Sequence, residues 1–337
     1  MRTAFASSII LLLAGGSLAA EPVTVSVGNF VRAETDSYMQ TLIAGQPPGG
    51  FVHTRRPVSL DAQTVIRMNL DTLYSAAVVD LEAGPATVTV PAQPDGRYVA
   101  VEVISQDHFA IDVLHEGSRT YSRDDVGTRY GILLMRVFVD ARNAEDVAAA
   151  NAVQDSVTIS LDATGSLEVP EYDQASLKAT REAILALAAL GTEGLGRRMG
   201  RKEEVDPIAH LLATAAGWGL NPETEAVYVM GVPPGNDGKT VMTMTLKDVP
   251  VDGFWSVTVY DKGGFMAKND LGVNAINDVT GVQAADGSHV IQFGGCDGQV
   301  PNCIPVTEGW NYTIRLYRPH PEVIDGTWTA PVPVAKG

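Results

Sequence analysis

Asn69-Leu70-Asp71-Thr72-Leu73-Tyr74-Ser75, preceded by Arg67-Met68, sets an amide, a carboxylate, two hydroxyls and a phenol in one short run. The alternating strand Ser75-Ala76-Ala77-Val78-Val79-Asp80-Leu81 follows directly. Were the first run extended, Asn69, Asp71 and Leu73 would share one face and Leu70, Thr72 and Tyr74 the other. A structural strand has no use for an amide and a carboxylate on a face interrupted by leucine. The pattern therefore predicts an irregular segment: a turn at Leu70 to Thr72, then a strand from Leu73. In that geometry Asp71 accepts backbone N–H groups and Tyr74 projects towards a second domain. Two readings of Asp71 stand side by side, a cap of the turn and an acid–base group.

Strand signals run outward from this point. Ala86 to Val90 alternates and ends at Pro91, Asp95-Gly96 marks a hairpin, and Arg97 to Ile104 alternates again. Tyr130 to Val139 is almost wholly apolar, the pattern of a strand buried on both faces, yet Arg136 lies inside it. A second arginine, Arg315, lies in the apolar strand Asn311 to Arg318. A buried guanidinium must be paired, so both are expected to be enclosed and hydrogen-bonded, as structural ion pairs or as anion ligands. The C-terminal part continues with strand patterns at Glu225 to Met230, Lys239 to Leu246, Phe254 to Asp261 and His289 to Phe293.

Helical spacing appears in four places. Asn29 to about Ala44 opens the chain, Ala144 to Val153 is a short alanine-rich helix, and Gln174 to Leu190 has one apolar face. Asp206-Pro207 is an N-cap with proline at the first helical position, before a helix to Ala216. The expected fold is mainly β: two β-sandwich, jelly-roll-like domains joined by helices. The expected boundaries are 21–165, a helical connector over 166–218, and 219–337. About 317 residues exceed one comfortable core.

Residues 1–20 read as a secretory signal peptide: Arg2, an apolar run around Ile9 to Leu13, and small residues at Ser17 to Ala20. The expected location is periplasmic or secreted, with no membrane association after cleavage. The cysteines Cys296 and Cys303 then read as a local disulfide; a metal site would need more soft ligands nearby. With 24 Lys+Arg against 40 Asp+Glu and a net charge of −16, nucleic acid and anionic lipid are poor partners.

The chain carries no nucleophile elbow, no P-loop, no HExxH and no dinucleotide fingerprint, and no cofactor or metal is expected. Gln106-Asp107-His108, with Asp112 and His115, could hold zinc or an acid–base pair, or be solvated loop residues. Trp255 and Tyr260, in Phe254 to Asp261, read either as core aromatics or as a stacking platform for a ligand.

Asn69-x-Asp71-Thr72-Leu73-Tyr74-Ser75, then Asp80-Leu81-x-x-Gly84-Pro85 and Asp95-Gly96-Arg97-Tyr98, resembles the domain of unknown function numbered 1254. Phe254 to Asp261, Asn269, Asp286-Gly287 and Asn302 through Arg315-Leu316-Tyr317-x-Pro319 to Asp325-Gly326-x-Trp328-x-x-Pro331 resembles its usual C-terminal companion, numbered 1214. The resemblance implies two jelly-roll-like sandwiches with helices between them, exported in many bacteria, and no settled activity. Two departures stand out. The stretch Glu116 to Thr128 is short, and Asn302-Cys303-Ile304-Pro305 stands where the family often has Asn-Trp-Leu-Pro.

The functional expectation is a nucleotide-independent hydrolase acting on a small molecule at the inter-domain cleft. Asp71 and Tyr74 would be its catalytic pair, and Asn69, Asp107, His108, Trp255, Tyr260 and Asn269 its ligand contacts. The alternative is a non-catalytic small-molecule or carbohydrate-binding or envelope scaffold protein. A homo-oligomer is compatible with either.

Overall fold

Strands dominate because the chain alternates apolar and polar residues over short runs, and these runs build four sheets in a computed structural model that describes residues 21–336. The signal peptide expected over residues 1–20 lies outside the described residues. The protein is mainly β, its sheets antiparallel apart from one short parallel pairing of Gln292–Phe293 with Cys303–Ile304, and no sheet closes into a barrel.

In the N-terminal half the central sheet runs Val52–His53, Thr72–Asp80, Tyr130–Phe138, Val99–Ser105, Ala110–Leu114. A three-stranded sheet, Gly117–Tyr121, Ala86–Val90, Thr158–Leu161, covers one of its faces. Leu73, Ala77, Val79, Val101, Leu133 and Met135 meet Ala86, Val88 and Val90 between the two. On the other face Ala76, Val78, Ile132 and Leu134 pack beneath Met39 of the helix Phe30–Leu42. The strand Tyr130–Phe138 is buried at every position for this reason: both of its faces are covered.

The C-terminal half repeats the principle with two four-stranded sheets. The inward faces supply Trp255, Val257, Val259, Tyr312, Ile314 and Leu316 from one sheet and Met242, Met244, Ile291 and Phe293 from the other. Helices Gln174–Ala188 and Pro207–Ala216 lie between the halves in sequence. As the sequence suggests, Asp206 caps the second, its side chain accepting from the N–H groups of Ile208 and Ala209.

The two sandwiches meet face to face. The outward side of the N-terminal central sheet presents Tyr74, Ala100, Arg136 and Phe138, and its neighbour presents Tyr228, Ser256, Thr258, Tyr260, Arg315 and Tyr317. One edge of this contact is aromatic: Phe254 stacks on Tyr317 with centroids 4.2 Å apart, and Tyr98 and Phe138 meet Phe254 edge-on. The rest is polar.

Cys296 and Cys303 are disulfide-bonded, closing the loop beside the short strand Cys303–Ile304. A loop of this length stabilises by roughly 2–3 kcal/mol through the unfolded chain. Replacing both cysteines by serine should lower unfolding free energy by about that amount in a denaturant titration, and thiol labelling of the denatured, unreduced protein should find no free sulfhydryl.

Candidate functional site

The segment from Arg67 to Asp71 threads the space between the sandwiches. Its turn is capped by Asn69 rather than by Asp71. The Asn69 side-chain oxygen accepts from the N–H groups of Asp71 at 3.0 Å and Thr72 at 3.1 Å, and its amide donates to the Tyr74 hydroxyl at 3.0 Å. With the local N–H groups taken by Asn69, the Asp71 carboxylate points across the interface. Its Oδ2 accepts from the Ser256 hydroxyl at 2.6 Å. The strand begins at Thr72, one residue before the sequence pattern suggests.

Arg315 is the cation of this place. It is 3% exposed and donates to Thr258 Oγ1 at 2.8 Å, to the Tyr260 hydroxyl at 2.7 Å and to the backbone carbonyl of Arg67 at 2.8 Å. The Tyr260 hydroxyl in turn donates to the Met68 carbonyl at 2.8 Å. Arg67 adopts a left-handed φ of 57° and donates to Thr313 Oγ1. Strain of this kind persists where the surroundings over-determine the backbone, and here hydrogen bonds from the opposite sandwich hold both Arg67 and Met68.

Asp71 is 1% exposed, and burial raises its pKa above the ordinary aspartate value against the opposing pull of Arg315. Its second oxygen, Oδ1, has no hydrogen-bond partner, and the buried Oδ1 of Asn274 has none either. Both residues line one cavity of about 30 Å³ between the sandwiches, together with Leu70, Val139, Asp140 and Arg142. Asn274 is oriented by its amide, which donates to the Ala267 carbonyl at 2.7 Å. A water needs roughly 10–15 Å³ and two or more polar partners. This cavity has the room, and two buried acceptors that call for a donor. Asp278, from the same stretch of chain, has its pKa pushed up to about 6 by burial, with the nearby Asp71 charge adding to it.

A second cavity, a groove of about 270 Å³ on the C-terminal sandwich, shares Arg142 and Thr280 with the first.

The other residues singled out by sequence fall elsewhere. Tyr74 lies beside Asn69, with the Arg136 guanidinium 5.6 Å above its ring. Arg136 pairs with Glu102 at 2.8 Å and donates to the Gly219 carbonyl. Asp107 binds Arg32 near the surface. His108, wholly buried at a tight turn, bonds Thr214 and accepts from the Gly219 N–H. These two residues are not brought to Asp71, nor are Asp112, which binds Arg119 and Tyr121, and His115, which bonds Glu225. Trp255 faces the C-terminal core, away from the cavity. Tyr260 is buried against Met68, and Asn269 shapes its own loop through Val273. Among the described residues no group of three or more His, Cys, Asp or Glu side chains is placed to hold a metal ion. Asn274, Asp278 and Arg142 were not singled out by sequence and sit in no motif, and Ser256 was not singled out although it lies in the Phe254 to Asp261 stretch.

Family models for two proteins of unknown function match the chain, DUF1254 over residues 48–124 and DUF1214 over residues 234–321. No curated protein matches. Among solved structures, the VPA0106 protein from Vibrio parahaemolyticus superposes with a TM-score of 0.71 at 18% identity, covering 92% of this chain and 98% of that one. An uncharacterised protein from Burkholderia cenocepacia gives a TM-score of 0.49 at 12% identity, covering 91% and 86%. The first likeness establishes a shared fold and nothing about activity.

Two outcomes follow from these charges. Removing Arg315 leaves Asp71 enclosed without its cation, so Arg315→Leu should cost roughly 3–5 kcal/mol of stability in chemical denaturation. Asp278 has a folded pKa above its unfolded one. Its contribution to stability is therefore full below about pH 4 and is lost as pH rises through about 6. Asp278→Asn should remove up to about 3 kcal/mol of that slope between pH 4 and 6, read as the pH dependence of the unfolding midpoint.

Proposed function

We propose, from the premise that this chain pairs a 1254 domain with a 1214 domain, that it is an exported hydrolase in which Asp71 activates a water for attack on a small substrate. One observation carries the reading. Asp71 and Asn274, each with a buried side-chain oxygen that lacks a hydrogen-bond partner, both line a cavity of about 30 Å³ at the junction of the sandwiches. A water there donates one hydrogen to each and turns a lone pair outward. Burial raises the Asp71 pKa above the ordinary aspartate value, which strengthens it as a base. Arg315 and Ser256 hold its other side. Asn69 takes over the capping of the turn, which leaves Asp71 free for this role, and Tyr74 supports Asn69.

For an ester the step balances as follows. The water oxygen bonds to the acyl carbon as its proton passes to Asp71 Oδ1. The carbon–alkoxide bond then breaks, and Asp71 returns the proton to the leaving alkoxide. Acid and alcohol leave, and Asp71 is regenerated. Arg142, which lines both cavities, is positioned to meet the developing oxyanion. Export is supported by the disulfide and the character of residues 1–20, and no helix among the described residues is long and apolar enough to cross a membrane.

The test is turnover of a panel of activated esters by the mature chain. Asp71→Asn, confirmed folded by its circular dichroism spectrum, should lower kcat at least a hundredfold, and Asn274→Ala should lower it with little change in KM. A wild-type protein that hydrolyses no member of the panel, or an Asp71→Asn variant with full activity, overturns the reading.

A further inference from the structure

The groove beside the catalytic cavity has a chemistry of its own. Its walls are Leu271, Val273, Ile276, Val282 and Val300, and its one charged lining residue is Arg142, at the end it shares with the Asp71 cavity. Leu271 and Val282 are 39% and 59% exposed, a cost in water that covering them would relieve. At about 270 Å³ the groove lies just below the roughly 300–1,000 Å³ that holds drug-sized ligands. The disulfide fixes its floor, since Cys303 and Asn302 line it.

Arg142 is available to an outside anion. Its side chain is 46% exposed, and its salt-bridge contact, Asp140 on the same loop, is distant at 3.9 Å. A ligand that satisfies both features has an unbranched apolar chain for the groove and an oxyanion for Arg142. We infer that the groove is an acyl-chain subsite and that the molecules it takes are medium-length, straight-chain carboxylates and their esters. The inference rests on the hydrolase reading for its ester part and on the groove alone for its carboxylate part. With the chain along Leu271, Val282 and Val300, the carboxyl end reaches Arg142, the residue that also lines the Asp71–Asn274 cavity. The carbon to be attacked and the water are thereby brought to one place.

The experiment titrates the mature protein with butanoate, hexanoate and octanoate by calorimetry, with 1-octanol as the uncharged control. Affinity should rise about two- to fourfold per added methylene, the upper value corresponding to ~0.8 kcal/mol for a buried CH2. Octanoate should bind at least tenfold more tightly than octanol. Val282→Glu, a change at an exposed rim position, should weaken octanoate at least tenfold. Arg142→Ala should bring octanoate down to the level of octanol. No binding, affinity that ignores chain length, or equal affinity for octanoate and octanol would each overturn the inference. Its failure is separable from that of the hydrolase: octanoate binding without any ester turnover retains the subsite and removes the enzyme. Turnover that is indifferent to acyl length does the reverse.

Discussion

The arrangement of this protein depends on a guanidinium enclosed between two sheets. Arg315 belongs to a strand whose other face builds the C-terminal core, so it has no route to solvent. An unpaired charge there would be prohibitively costly, and its hydrogen-bond partners come from both sandwiches, Thr258 and Tyr260 from its own sheet and the Arg67 carbonyl from the other, with the Asp71 charge acting at longer range. The irregular path of the segment from Arg67 to Asp71 follows from this requirement. A regular strand could not deliver a carbonyl and a carboxylate to one cation while sending Tyr74 to the opposing sheet.

The same constraint separates structural from chemical polar groups. Most buried donors and acceptors in the interface are matched, as stability demands. Asn69 serves two backbone N–H groups and the Tyr74 hydroxyl, and Tyr260 joins Arg315 to the Met68 carbonyl. Asp71 Oδ1 and Asn274 Oδ1 are among the unmatched atoms, as are Glu102 Oε1, the Tyr98 hydroxyl and Asn311 Oδ1, and the residues of the first two line one cavity.

Much of the fold can be read from particular residues. The apolar run Tyr130 to Val139 signals a strand covered on both faces, and the structure covers it with a second sheet on one side and a helix and the neighbouring sandwich on the other. Asp206-Pro207 marks its helix start because proline forgoes an N–H that the first turn does not need. The sequence leaves open whether the chain turns after Ile104; His108 takes a left-handed φ of 63° and the chain turns back there. Short-range pattern also could not apportion Asn69 and Asp71. Both residues are able to cap a turn, and only the position of Ser256 and Arg315 on a strand far along the chain decides which one does. Asn274 and Asp278 were invisible for the same reason, since their meaning comes entirely from the sheet they are folded against.

Two buried arginines lie in this region, each with a buried carboxylate near it. Arg136 and Glu102 are both on the N-terminal central sheet, and Arg136 ties that sheet to the Gly219 carbonyl after the helical connector. Burial pushes Glu102 up to about 7 despite its cation, yet Glu102 lines neither of the two cavities. A proton on that carboxyl can change only the cohesion of the fold. Asp71 is as enclosed as Glu102, but Arg315 acts on it at longer range, its Oδ2 being held by Ser256 instead. Of the two carboxylates it is Asp71 whose residue lines a cavity, the one that Arg142 also lines.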